Sequence, residues 1–288
     1  MLPCSDSSNT PMTWLTFGHQ TTKNILEKQL DSGQLPHAYL FVGPDGVGKK
    51  HLALEFAGKI LKAKTLNNHP DFRILDGETE ISIEQARNFI ANLSFKPFLG
   101  AKKLAIINNA ENLNSQSSNA LLKTLEEPGQ SNVIILIANS GGLLPTIVSR
   151  CQVLNFNSLS SQELKEFAEN NRLGADEKIL DLSFGRIGRL VKLRADKNFL
   201  AAENEAVEKY RGLKALSLAE KLAEVGEMAE MEPMEMKKSF TSWLLWQANQ
   251  LQHRPKEFVC VQAIIDAISA LKRNQNKKLV LQKLLMTI

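Results

Sequence analysis

Residues 37–50 read His37-Ala38-Tyr39-Leu40-Phe41-Val42-Gly43-Pro44-Asp45-Gly46-Val47-Gly48-Lys49-Lys50, a short apolar run that feeds a glycine-rich turn and then an alanine-bearing helical pattern. Strand, G-x-x-x-x-G-K and helix stand in the order that builds a phosphate-binding loop. Gly43, Gly46 and Gly48 let the backbone turn, the N–H groups and the helix N-terminus face phosphate oxygens, and Lys49 reaches them as a point charge. The position after Lys49 ordinarily carries Ser or Thr, whose hydroxyl ligates the Mg²⁺ that bridges the terminal phosphates. Here Lys50 puts an ammonium where the cation would sit. The loop reads as kept in shape and stripped of its metal ligand.

Working outward, Ile25, Leu26 and Leu30 recur at helical spacing over residues 21–32, and Gly33 ends the pattern like a C-terminal cap. After the loop a helix continues to about Ala63. A strand is expected over residues 71–75, and Ser82 caps a helix running to about Leu93 with Arg87 off its apolar face. Residues 103–108 and 133–138 are continuous apolar runs, as in strands covered on both faces, with a helix at 116–126 between them and a fifth strand at 152–156. Strands alternating with helices require crossovers, so the expected fold is α/β: a parallel sheet between helices with the glycine loop at its carboxyl edge. Past Asn157 strand signals vanish. The expected division is a tail at residues 1–12 rich in Ser, Pro and Asn, a P-loop-like core at 13–159, a helical lid at 160–197 and an all-helical domain at 198–288.

Length and composition fit that plan. With 288 residues, 43% hydrophobic and 23% charged, the chain suits two or three soluble domains, and a net charge of +4 permits contact with nucleic acid without demanding it. Cys4, Cys151 and Cys260 are odd in number and far apart, so they build neither a disulfide framework nor a Cys-x-x-Cys metal site. No apolar run approaches the roughly 20 residues that span a bilayer. The expectation is a cytoplasmic protein with no membrane contact and no bound metal.

A second loss accompanies Lys50. In a working P-loop ATPase the third strand ends in acidic residues that hold Mg²⁺ and position water, whereas here it ends in Asn108-Asn109, amides that keep the shape without the charge. Ser118-Asn119-Ala120-Leu121-Leu122-Lys123-Thr124-Leu125-Glu126-Glu127-Pro128, then Leu144-Pro145-Thr146-Ile147-Val148-Ser149-Arg150-Cys151, together with His69-Pro70-Asp71, resemble the signature of bacterial sliding-clamp loader subunits of the AAA+ family. The match runs from about Phe17 to Arg189 and is strongest over the first domain. Given the lost ligands, the resemblance is to the delta-prime type of the DNA polymerase III clamp loader, which does not hydrolyse ATP.

That resemblance implies a helical lid and a C-terminal collar. It implies as partners the motor and delta subunits, the sliding clamp and, through the complex, primer–template DNA. It implies that Arg150, with Ser149 and Cys151, projects into the ATP site of an adjacent subunit, and that Arg87, Ser118 and Asn119 are candidate DNA contacts. Two departures stand out. The four-cysteine zinc module found in many relatives is missing, since residues 63–68 are short and contain no cysteine, and Gly188 stands where motor subunits carry an arginine that senses the γ-phosphate. An active ATPase with divergent metal ligands is the rival reading.

Overall fold

The computed structural model describes residues 14–139, 142–174, 176–251 and 257–288; the tail expected at residues 1–12 and Cys4 lie outside them. The described chain divides into two compact units, Met1–Glu163 with Arg186–Gly188, and Leu164–Gly185 with Arg189–Ile288.

The first unit is built on five parallel strands among the described residues: β1 Ala38–Val42, β2 Phe72–Asp76, β3 Lys103–Asn108, β4 Asn132–Ala138 and β5 Gln152–Asn155, in the order β2-β3-β4-β1-β5. Side chains alternate between the two faces of a strand, and the core divides accordingly. Tyr39, Phe41, Leu104, Ile106, Ile135 and Ile137 pack with Leu26 of helix α1 (Gln20–Ser32) and with Leu52 and Phe56 of α2 (Lys49–Leu61). Leu40, Ala105, Ile107, Ile134 and Leu136 pack on the other face with Ala86 and Phe89 of α3 (Ile83–Ala91) and Leu121 and Leu125 of α4 (Ser115–Glu126). Every residue of β4 is buried, which is why the run contains no polar alternation.

Local signals set the helix ends. Gly33 adopts a left-handed φ of 69° after α1 and returns its N–H to Leu30 O. Ser82 and Gln85 form a reciprocal capping box at α3. Two local readings change. β2 extends to Asp76, so a carboxylate ends the strand beside Asn108, its register partner on β3. Before β5, where the reading placed no element, lies a short helix, α5 (Pro145–Val148), opened by Pro145 at its first position.

Beyond β5 the regular structure of the described residues is helical, with residues 161–163 and 186–188 assigned to the first unit and the rest to the second: α6 (Ser161–Asn170), α7 (Glu177–Ser183), α8 (Ile187–Ala195), α9 (Lys197–Ala215), α10 (Leu218–Ala229), α11 (Pro233–Gln250), α12 (Phe258–Lys272) and α13 (Lys277–Thr287). Tyr210, Met236, Phe240, Trp243, Ile264 and Leu281 centre the core of the second unit. The polar atoms of the buried aromatics are satisfied, with Tyr210 Oη donating to Gln247 Oε1 at 2.9 Å and Trp243 Nε1 donating to Ala206 O at 2.8 Å. Among the described residues no helix is long and apolar enough to cross a membrane.

Candidate functional site

The glycine loop leaves the carboxyl end of β1 and its glycines are structurally required. A Cβ on Gly43 would lie 2.0 Å from Phe156 O, and Gly48 caps α2 at φ 108°. Lys49 is turned back into the loop: Nζ donates to Gly43 O (2.5 Å), Pro44 O (2.6 Å) and Asn139 Oδ1 (3.1 Å). Asn139, just past β4, is held in turn by Glu111, whose Oε1 accepts from Asn139 Nδ2 at 2.7 Å. Burial, opposed by Asp45 and Glu111 and assisted by Arg186, brings the Lys49 ammonium down to about 8. His19 closes another side, its Nε2 2.8 Å from Val47 O; burial holds its pKa below the ordinary value, so Nε2–H is the donor of a neutral ring.

The metal side is occupied by the protein's own groups. Lys50 Nζ donates to Asp76 Oδ2 at 2.6 Å while Asn108 Nδ2 donates to Asp76 Oδ1 at 2.6 Å. Partial burial pushes the Asp76 carboxyl up, but the bonds from Lys50 and Asn108 and the Lys50 charge outweigh it and hold it below the usual carboxylate value. An ammonium and an amide sharing one carboxylate do not fit Mg²⁺, which needs oxygen ligands in octahedral array. Asn109 has left the strand: at φ 54° it starts a 3₁₀ turn, Ala110–Asn112. Gly188 lies directly on the loop, its N–H donating to Gly46 O at 2.8 Å, and a Cβ there would come within 3.1 Å of Gly46 Cα. Any side chain at this position would press Gly46 back by a few tenths of an ångström.

Arg150 lies elsewhere. It follows α5, where Ser149 Oγ donates to Thr146 O and Cys151 N to Val148 O, and its guanidinium donates from Nη1 to Thr146 O (2.9 Å) and from Nη2 to Glu126 Oε1 (2.7 Å). The side chain is 34% exposed. It precedes β5, whereas the glycine loop follows β1. These strands are parallel neighbours, so the two features lie at opposite ends of the sheet, roughly 15 Å of strand apart. Burial pushes the Cys151 thiol up to about 11, so it is neither a thiolate nor a nucleophile at neutral pH.

Residues 18–160 match the family model described as DNA polymerase III, delta subunit. Over these residues, just under half of its length, the chain is similar to that family. It is 37% identical to DNA polymerase III subunit delta' of Pseudomonas aeruginosa over 41% of this chain and 42% of that protein. The corresponding protein of Bacillus subtilis is 27% identical over 66% and 63%. Subunit tau/gamma of Haemophilus influenzae is 31% identical over 52% of this chain and 24% of its own length. The matches thus span less than two thirds of each of these relatives.

Within the chain the three candidate DNA contacts separate. Arg87 on α3 and Asn119 on α4 are exposed. Ser118 is not: at 4% exposure it lies on the inner face of α4 with Ser117, Leu121 and Leu125, and its burial takes the hydroxyl out of reach of an outside phosphate. Asp76, Asn139 and His19 belong to the loop site and were not expected there. For Asp76 and Asn139 the available signal was position, since polar residues at the carboxyl ends of parallel strands face the ligand edge of an α/β sheet.

Proposed function

We propose that the chain is the non-hydrolysing, delta-prime-like subunit of a sliding-clamp loader, and that it lends Arg150 to the ATP site of a neighbouring motor subunit. The observation that carries this reading is the Lys50–Asp76–Asn108 cluster, which places a covalently attached cation where Mg²⁺ would have to act. Gly188 seated on Gly46 supports it from the opposite side of the loop. Arg150 lies at the opposite end of the sheet from its own glycine loop, which supports a role in trans. There it stabilises charge developing on the transferred phosphoryl group.

The reading includes the partition into core (13–159), lid (160–197) and collar (198–288). The collar is the assembly element; Phe258, Val259, Leu279 and Met286 of its last two helices are 59–65% exposed and offer apolar area to neighbouring subunits. Arg87 and Asn119 face template phosphates inside the complex. Partners are the motor and delta subunits and the clamp, in the cytoplasm. The test is Mg-ATP turnover by the purified chain beside its Lys49→Ala variant, followed by co-purification with motor subunits. Turnover that disappears in Lys49→Ala would establish the rival ATPase reading, and failure to co-purify would remove the loader.

A further inference from the structure

Two stretches of sequence, residues 118–128 and 144–151, meet in the fold at one ion pair: Arg150 Nη2 donates to Glu126 Oε1 at 2.7 Å across 24 positions of chain. Packed elements present both ends. Glu126 is the last residue of α4, whose Leu121 and Leu125 are buried, and Arg150 follows α5, whose Ile147 is buried in the same cluster. The arginine is tied at two more points, its backbone N–H donating to Ile147 O at 3.1 Å and Nη1 to Thr146 O at 2.9 Å. Helix stability does not account for the carboxylate. A helix C-terminus carries partial negative charge and favours Lys or Arg, so Glu126 and Glu127 have the wrong sign for the end of α4. What Glu126 does in this structure is accept an N–H from Arg150.

The magnitudes decide what that contact can do. It runs through one carboxylate oxygen, not the paired fork that makes arginine–carboxylate contacts strong, and the two side chains are 34% and 50% exposed. A pair this open to water favours the joined arrangement by no more than about fivefold. That is enough to bias where the guanidinium rests. It is too little to hold it against a terminal phosphate, which carries more charge and three acceptor oxygens. Two anions on one guanidinium repel each other, so carboxylate and phosphate compete for it. We propose that Glu126 is a positioning residue that stands in for a phosphate: it holds Arg150 while the neighbouring site lacks a γ-phosphate and yields it when one is bound. This rests on the trans role of Arg150 given above, and adds to it a competitor within the chain that sets how sharply the contact depends on the neighbour's nucleotide.

The experiment measures binding of the full chain to a purified motor subunit by surface plasmon resonance, with the motor loaded either with ADP or with the β,γ-imido analogue of ATP. The Kd with ADP divided by the Kd with the analogue reports the γ-phosphate contact. Glu126→Gln keeps the size of the side chain and an oxygen that accepts from Nη2, and removes only the competing charge. The wild-type ratio should exceed one, Glu126→Gln should enlarge it by about two- to fivefold, and Arg150→Ala should bring it to about one. In the Glu126→Gln/Arg150→Ala double variant the ratio should equal that of Arg150→Ala alone, because Glu126 acts only through the arginine. A carboxylate with a merely structural role would shift the melting temperature or both Kd values together and leave the ratio unmoved. An unchanged or smaller ratio in Glu126→Gln, or an enlargement that survives in the double variant, overturns the role of Glu126 while the trans role of Arg150 stands. Absence of binding, or a ratio that Arg150→Ala does not alter, removes the trans role and that of Glu126 with it.

Discussion

The glycine loop and the Arg150 edge lie in one unit, at opposite ends of one sheet, and differ in where their polar groups are directed. At the loop Lys49, Lys50, Asp76, Asn108 and Gly188 bond to one another or to the loop's own backbone. At the other end Arg150 is held by Thr146 O and Glu126, within reach of solvent. A loop whose lysines are spent on its own backbone and on Asp76 is closed on itself, whereas a guanidinium in an exposed ion pair, worth about 0–1 kcal/mol, can exchange its partner for phosphate oxygens. Substitutions at the two ends should therefore act on different quantities: stability at the loop, activity of the complex at the arginine.

The largest effect is expected at Arg150. In a reconstituted complex Arg150→Ala should reduce turnover at the one site it serves by about 10³ to 10⁵, or roughly 4 to 7 kcal/mol of barrier. The fall in total activity will be smaller where motor subunits supply their own fingers. Stability of the isolated chain should stay within about 0.5 kcal/mol, and Arg150→Lys should not rescue turnover because an ammonium lacks the planar fork. Wild-type hydrolysis and clamp loading by a fully assembled Arg150→Ala complex would make the residue an ordinary surface arginine. Gly43→Ala should do the opposite. Its Cβ has to displace Phe156 O from 2.0 Å, on a backbone at φ 157°, so strain and overpacking together predict a loss of roughly 2–5 kcal/mol in urea unfolding. An unchanged urea midpoint would mean that the loop is not packed against β5 as described.

The sequence-level reading of the fold succeeded where burial leaves a continuous mark. Strands covered on both faces, such as β3 and β4, are uninterrupted apolar runs, and Gly33 and Ser82 announce their helix ends chemically. At the site, absences were legible and replacements were not. Lys50 is visible as a missing hydroxyl, but its carboxylate partner Asp76 is 26 positions away and only the β2–β3 register brings Asp76 beside Asn108. Gly188 is visible as a missing arginine, yet its close backbone approach to Gly46, which a side chain would crowd, is something no local pattern encodes. Ser118 misled because polarity at a helix start suggests the surface, while the 3.6-residue period places it inward with Leu121 and Leu125.

A pH experiment sharpens the loop side of the comparison. The Lys49 ammonium has its pKa lowered from 10.5 to about 8 by burial. Below the folded value both states are protonated and the folded state carries a disfavoured charge. Between the two values the folded state has released its proton while the unfolded chain retains it, so stability rises with pH across this window and levels off above it. The full shift corresponds to at most about 3 kcal/mol. Lys49→Met should remove this rise, read as a smaller gain in urea midpoint between pH 7.5 and pH 10 than the wild type shows. Identical gains in the two proteins would place Lys49 in solvent, outside the loop.

The smallest effect is expected at Lys50, and it tests whether the loop is closed by one residue or by several. Lys50 and Asp76 are 41% and 38% exposed, so losing their ion pair in Lys50→Thr should change stability by under about 1 kcal/mol. The change would show mainly as pH falls. Asp76 has a lowered folded pKa, so the stability it contributes is present above its unfolded value and is lost as pH drops through the folded one. Part of that acid-side loss should disappear in the variant. The substitution restores the hydroxyl a metal would need, but Asn108 still brings no charge and Gly188 still covers Gly46, so Mg-ATP turnover should remain at background. Turnover appearing in Lys50→Thr alone would show that the phosphate site is intact behind one lysine, and the contrast between a closed loop and an open arginine edge would then rest on that single side chain.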